Sequence, residues 1–360
     1  RMLRTNTRVA ETAAHFKIGG TVIAPGEAKT VEIPVAPTYA HDDLAISVHV
    51  IHGKRAGPAL FVCAAIHGDE INGIEIIRRL IKRIDVRKLR GTLLAIPIVN
   101  VYGVISHSRY LPDGRDLNRS FPGSATGSLT GRVAHTFMQE IVALCTHGID
   151  LHTGGRHRSN FPQIRAELHD PAVRAMTEAF GAPLVIDSAV RDGSLRQSAT
   201  ELGVPVILYE SCEALRFDEV HIRAGVKGVV NVMRHLGMVR KSRAKQRQTP
   251  IFSRQTQWLR APASGIHRML IPLGAQVSEG QVIGLIADPL GIEETEVRAP
   301  MAGVIIGRSN LPLVYAGDAL FHIADMHEEA VFEVESFHEQ LMPSDYQPSD
   351  DDPSSAPIAI

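Results

Sequence analysis

Cys63-Ala64-Ala65-Ile66-His67-Gly68-Asp69-Glu70-Ile71-Asn72-Gly73 is the stretch around which this 360-residue chain is organised. The apolar run 58–66 reads as a buried strand, and it breaks at His67 into a polar turn. Over 74–84 apolar residues recur at helical spacing, so the turn sits at a strand-to-helix switch. A histidine and a glutamate three residues apart at such a switch can reach one point in space. Neutral imidazole and carboxylate are both ligands that a borderline divalent ion such as zinc accepts. Alone the pair is weak evidence, because His-x-x-Glu is common among solvated turn residues.

Outward from this switch the chain divides by composition. Residues 1–45 read as an extended leader with short strands, punctuated by Gly19-Gly20, Pro25-Gly26 and Pro34. Strands are expected over 46–51 and 91–101, the second a near-continuous apolar run of the kind found where both sheet faces are covered. Helices are expected over 131–145, 172–180 and 220–236, and strands over 149–151 and 204–209. This alternation predicts a three-layer α/β domain over 46–240. Residues 241–254 carry Lys241, Arg243, Lys245 and Arg247 without interleaved aromatics, which suits a solvated basic linker better than a nucleic-acid patch.

Beyond the linker lies an internal repeat. Ala261-Pro262-Ala263-Ser264-Gly265 returns as Ala299-Pro300-Met301-Ala302-Gly303, and Ile286-Ala287-Asp288 returns as Ile323-Ala324-Asp325. Two copies are too few for a solenoid and suit a small pseudo-symmetric all-β domain over 255–326. The pattern resembles the biotinyl/lipoyl-like domains, whose two halves interlock into a sandwich. Those carriers modify a lysine at the hairpin between the halves. The turn 289–294 contains none, so a structural or assembly role is expected instead. Residues 327–360 are acidic, end in a Pro- and Ser-rich run, and are expected to be partly disordered.

The bulk properties narrow the class. A hydrophobic fraction of 44% supports real cores, and a net charge of −1 provides no global field for nucleic acid or an anionic membrane. Three cysteines, Cys63, Cys145 and Cys212, lack any Cys-x-x-Cys spacing. A disulfide framework is therefore not expected, and a reducing cytoplasm fits better. No apolar run reaches transmembrane length, and the first residues show no signal-like pattern.

Three further sites turn the weak pair into a constellation. Ile149-Asp150-Leu151-His152-Thr153-Gly154-Gly155 is a strand ending in a histidine and released by glycines. Such a residue points into the crevice where α/β sheets bind ligands. His152 would complete the two-histidine, one-carboxylate set of catalytic zinc, with Asp150 able to orient it from behind. The loop 108–123 carries Arg109, Arg115 and Arg119 together with Asn118. Clustered arginines suit bidentate recognition of a carboxylate, or polarisation of a carbonyl as charge develops on its oxygen. Finally, Glu210 follows directly on an apolar strand, where a carboxylate is costly unless paired or functional. The higher proton affinity expected of it there suits a general base and acid.

Across roughly 45–240 the chain resembles the succinylglutamate desuccinylase/aspartoacylase family of the zinc carboxypeptidase clan. The resemblance rests on His67-Gly68-Asp69-Glu70, Asp116-Leu117-Asn118-Arg119, Leu151-His152-Thr153-Gly154 and Glu210, in that order. It implies a zinc carboxypeptidase-like fold, a mixed β-sheet flanked by helices with a small C-terminal β domain. It also implies one Zn2+ per chain on His67, Glu70 and His152. Arg109 takes the carbonyl-polarising role, with Arg115 as a competitor. Asn118 and Arg119 take the substrate-carboxylate grip, and Glu210 is the catalytic carboxylate. Arg216 is a candidate for reading a second carboxylate, though a helix-start surface charge explains it equally well. The tyrosine that family members use has no identifiable counterpart.

The expected function is hydrolysis of a linear amide, a carbon–nitrogen bond other than a peptide bond, in a small N-acyl amino acid. A zinc carboxypeptidase acting on short peptides keeps the site and changes the substrate. A non-catalytic binding or assembly protein predicts no stoichiometric zinc. Neither nucleic acid nor membrane is an expected partner, and the β domain leaves room for a homo-oligomer.

Overall fold

A computed structural model of the chain describes residues 12–240 and 250–326. The acidic tail and most of the basic linker lie outside the described residues. The first elements are β1 Phe16–Ile18, β2 Thr21–Ile23, β3 Ala28–Pro34, β4 Ala45–His52, β5 Arg55–Ala64, α1 Asn72–Arg83, β6 Arg90–Ile96, α2 Val101–Ile105 and α3 Leu129–Glu140. There follow β7 His147–His152, β8 Arg158–Ala166, α4 Pro171–Phe180, β9 Leu184–Asp187, α5 Leu195–Glu201, β10 Val206–Cys212 and α6 Glu219–His235. The C-terminal elements are β11 Ile251–Ser253, β12 Thr256–Arg260, β13 Gly265–Met269, β14 Gln276–Val277, β15 Val282–Ala287, β16 Glu294–Arg298, β17 Gly303–Ser309, β18 Leu313–Val314 and β19 Ala319–Ala324.

The main sheet runs in the order β12-β19-β17-β8-β10-β7-β5-β6-β4-β3. Strands β10, β7, β5 and β6 are mutually parallel, whereas β8, β4 and β3 pair antiparallel. Strand β5 explains the layers. Phe61 and Cys63 pack into one core with Val133, Phe137 and Met138 of α3. Leu60, Val62 and Ala64 pack into the other with Ile76, Ile77 and Leu80 of α1 and Val226 and Val229 of α6. Alternate side chains of a strand leave opposite faces, so an unbroken apolar run needs helices on both. The result is a mixed sheet flanked by helices.

Two segments differ from expectation. Within the expected leader, β3 is the edge strand of the main sheet, because Val31 and Ile33 alternate inward and pair along β4. Within the expected linker, β11 pairs in parallel with β9, with Ile251 and Ser253 buried. The helix expected over 131–145 also stops at Glu140 and continues as a short 3-10 turn, Val142–Leu144.

The C-terminal repeat is visible in the strand pairing. Its first half supplies β12 to β15 and its second half β16 to β19. One sheet runs β16-β15-β13-β18; exchanging the halves gives β12-β19-β17-β14, which is the pairing in the other sheet. Each sheet therefore takes strands from both halves. Strand β17 also pairs with β8, so this second sheet continues the main one without a break. Among the described residues, no helix is long and apolar enough to cross a membrane.

Candidate active site and metal centre

Beyond β5 the chain turns through Ala65, at a left-handed φ of 53°, and presents His67 and Glu70 at the carboxyl end of the strand. Gly68 makes the turn possible: a Cβ there would lie 2.0 Å from the carbonyl carbon of Gly103 in α2. Parallel β7 ends on His152 at the same edge of the sheet. This is the crevice position where such sheets hold ligands.

His67, Glu70 and His152 meet there. Nδ1 of His67 is 2.8 Å from Glu70 Oε1, and Nδ1 of His152 is 2.8 Å from Glu70 Oε2. One ligand atom from each residue lies within 4.8 Å of the others, and all three residues are buried. The far ring nitrogens are tied by carboxylates: His67 Nε2 lies 3.0 Å from Asp116 Oδ1, and His152 Nε2 lies 2.8 Å from Asp150 Oδ2. A carboxylate on Nε2 fixes the ring and leaves the Nδ1 lone pair facing the centre. Two imidazole nitrogens and one carboxylate, aimed at one point from behind fixed partners, fit a divalent cation such as zinc.

Among the protein groups alone the cluster is held by charge. Burial would raise the Glu70 carboxyl, but His67 and His152 outweigh it and hold it below the usual carboxylate range. Burial also opposes a charged His152, yet Asp150 and Glu70 carry its pKa well above the ordinary value. His67 is raised in the same way, with burial overcome by Glu70 and Asp116.

The loop arginines separate clearly. Arg109 donates from Nη1 to Glu70 Oε1 at 3.2 Å, and from Nε and Nη2 to Asp116 Oδ2 at 3.2 and 3.0 Å. Arg115 is 64% exposed, 3.9 Å from Asp113, and lines no part of the cavity. Of the two candidates, Arg109 is the one at the centre. Asn118 is buried and accepts the Leu195 N–H on Oδ1 at 2.9 Å; Arg119 donates to the Asn118 carbonyl at 2.5 Å. Both line a cavity of ≈ 340 Å³ together with His67, Glu70, His152 and Glu210. Arg216 does not reach it: the side chain is exposed and donates to the neighbouring Leu215 carbonyl.

Glu210 pairs in register with His152 across β10 and β7. It is paired, one of the two conditions expected of a carboxylate that follows directly on an apolar strand. Arg165 forms an ion pair with Oε2, and Asn160 donates from Nδ2 to Oε1 at 2.9 Å. Both partners come from β8, which sequence reasoning missed. Its Asn, Pro, Gln and Arg give no strand signal, and Pro162 sits where the β8–β10 register shifts.

The cavity has further walls that the motifs did not point to. Six arginines line it, Arg109, Arg119, Arg158, Arg165, Arg191 and Arg196, against the carboxylates Glu70 and Glu210. Arg196 is buried beside Arg165, and burial with that neighbour lowers its pKa to about 10, which still leaves it charged at neutral pH. Its hydrogen bonds run to Ser188, at 3.4 Å to the carbonyl and 3.3 Å to Oγ. Such a field suits an anionic ligand. From the C-terminal region come Trp258 and His322, stacked with ring centroids 4.5 Å apart. Burial and Arg165 hold His322 at about 3, so its ring is neutral. Among the described residues, no tyrosine lines the cavity.

Residues 56–236 match the family model of the succinylglutamate desuccinylase/aspartoacylase catalytic domain. The chain is 29% identical over 307 residues to an N-alpha-acetyl-L-2,4-diaminobutyric acid deacetylase of Halomonas elongata, spanning 79% of this chain and 87% of that protein. Among solved structures, the product-bound ectoine utilization protein EutE (DoeB) from Ruegeria pomeroyi matches with a TM-score of 0.73 at 24% identity, covering 83% of this chain and 94% of that one. A succinylglutamate desuccinylase/aspartoacylase from Rhodobacter sphaeroides matches with a TM-score of 0.72 at 24% identity, covering 84% and 96%. At that identity the two structures speak to the fold alone.

Proposed function

Because the chain belongs to the succinylglutamate desuccinylase/aspartoacylase family, we propose that it is a zinc-dependent amidohydrolase that splits a small N-acyl amino acid into a carboxylate and a free amino acid. The observation that carries this reading is the convergence of His67, Glu70 and His152 on one point, with Glu210 in register beside His152.

A zinc ion held by His67, Glu70 and His152 would polarise the scissile carbonyl and lower the pKa of the attacking water. Glu210 takes a proton from that water as its oxygen bonds to the acyl carbon. The same carboxyl then returns the proton to the departing nitrogen as the C–N bond breaks. Arg109 places N–H donors where negative charge develops on the carbonyl oxygen. Asn118 and Arg119 grip the carboxylate of the amino-acid half, for which the planar guanidinium fork is suited.

The name of the Halomonas relative favours acetyl as the acyl group, while the family name also admits succinyl. Residues 46–240 serve as the hydrolase domain and 255–326 as a biotinyl/lipoyl-like sandwich that walls the cavity with Trp258 and His322. Three buried free cysteines accord with a cytoplasmic location. The test is a screen of zinc-loaded protein against N-acetyl amino acids, N-succinyl amino acids and dipeptides. Release of free amino acid from the N-acyl substrates is expected. Faster turnover of dipeptides would replace this reading with a carboxypeptidase, and turnover of none would end it.

A further inference from the structure

We infer that Gly307 and Asn160 are positioning residues, through which the C-terminal β region sets the aim of the Glu210 carboxylate. The inference rests on the amidohydrolase reading above. Asn160 is 7% exposed and donates to Glu210 Oε1 at 2.9 Å. It stands just past the register shift, where Glu210 pairs with Gln163 but Cys212 pairs with Asn160. Regular ladder geometry therefore does not fix the approach of this amide to the carboxylate, and its packing must.

That packing comes from β17. Asn160 pairs with Gly307 across the β8–β17 seam. A Cβ at position 307 would lie 2.8 Å from Asn160 Oδ1 and 3.2 Å from the Cβ of His322. Gly307 has no left-handed φ that would call for glycine, so the requirement at this position is for space. Asn160 and His322 both line the cavity. A methyl group at 307 presses on a short, buried carboxamide with little freedom to retreat, and turning its Oδ1 away swings Nδ2 off Glu210. Arg165 on Oε2 then remains as the partner of the carboxylate, and Oε1 loses the contact that sets its direction in the cavity.

The test is a double-mutant cycle on kcat with Gly307→Ala, Asn160→Ala and the pair, each checked for zinc content and thermal midpoint. Gly307→Ala alone should lower kcat about 10- to 100-fold, the scale of a small misplacement of a catalytic group, with KM little changed. In the Asn160→Ala background the same substitution should change kcat by less than about 2-fold, because the atom it displaces is gone. Effects that simply multiply would overturn the inference. An independent readout is the Asn160 side-chain amide pair in 1H–15N spectra, identified by its loss in Asn160→Ala. Those resonances should move in Gly307→Ala, and unmoved resonances overturn the inference whatever the kinetics. If Gly307→Ala does not fold, Asn160→Ala alone decides, and an unchanged kcat overturns the relay. A wild-type enzyme inert towards every N-acyl amino acid would defeat the amidohydrolase reading instead, leaving the contact to be judged on the resonances.

Discussion

His152 and Glu210 are register partners on adjacent parallel strands, so their backbones are about 4.8 Å apart near the carboxyl ends of those strands. One is bound into the His67–Glu70–His152 cluster and the other is held by Arg165 and Asn160. This separation of duties makes the first prediction sharp. Glu210→Gln should lower kcat by about 10²- to 10⁴-fold while zinc remains at one per chain. Steady-state kinetics beside elemental analysis checks it, and near-full activity would refute the assignment.

The carboxylates behind the imidazoles should tune metal affinity. Asp150→Asn keeps the shape but removes the charge facing His152 Nε2, and Asp116→Asn does the same for His67. Each should weaken zinc binding by about 10- to 100-fold in a chelator competition. Asp116→Asn should also lower kcat at saturating zinc, because Asp116 is the anchor for Arg109. Asp150→Asn should not share that second effect to the same degree.

The chelated protein should show an unusual pH profile. The folded-state pKa of Glu70 is depressed, so its stabilisation is present above the ordinary carboxylate value and is lost as pH falls through the folded one. His67 and His152 are raised, so theirs is complete below the ordinary imidazole value of about 6.5 and is lost as pH rises through the folded values. The contribution of the cluster therefore peaks at roughly pH 4.5–6.5 and declines above it. Zinc needs neutral imidazoles, so its own stabilisation grows with pH. Thermal melts from pH 5 to 9, with and without chelator, should diverge. Parallel curves would count against this account of the cluster.

Removing the C-terminal region should do more than shorten the protein. Strand β8 would lose β17, and the Gln163 amide would lose its 3.1 Å bond to the Ile306 carbonyl. A fragment ending at residue 240 should be largely insoluble, since the start of β8 at 158–160 and the outer side of β9 would lose β17 and β11 and leave unpaired edges that recruit other chains. Trp258→Ala in the full chain should instead fold and bind zinc, with KM for N-acyl substrates raised. Sedimentation of the fragment and KM of the variant are the measurements.

Much of this site was legible because its parts sit on strong local signals. His67, His152 and Glu210 each end or follow an apolar strand, and the strand order of an α/β sheet brings such ends together. Asn118 and Arg119 were marked by their neighbours in a polar loop. The loop alone did not separate Arg109 from Arg115, since the difference lies in Asp116 and Glu70 turning one guanidinium inward. Nor did Arg216 betray that it points to solvent. Asn160 and Arg165 were hidden in a strand whose composition argues against one. Trp258 and His322 reach the cavity only because β17 joins β8, a long-range pairing with no local signature. The β11 strand escaped for the same reason, and so did the place of β3: short strands were expected in the leader, but not that one of them forms the edge of the main sheet.

The unbroken sheet has a consequence for how substrate gets in. The two regions are joined at β8–β17 and again at β9–β11, by main-chain ladders rather than by a surface contact. A swinging cover would have to tear those ladders, so the C-terminal region is a fixed jamb, not a door. Admission and release then depend on side chains and the loops around the mouth, and turnover needs no large rearrangement between the halves of the molecule.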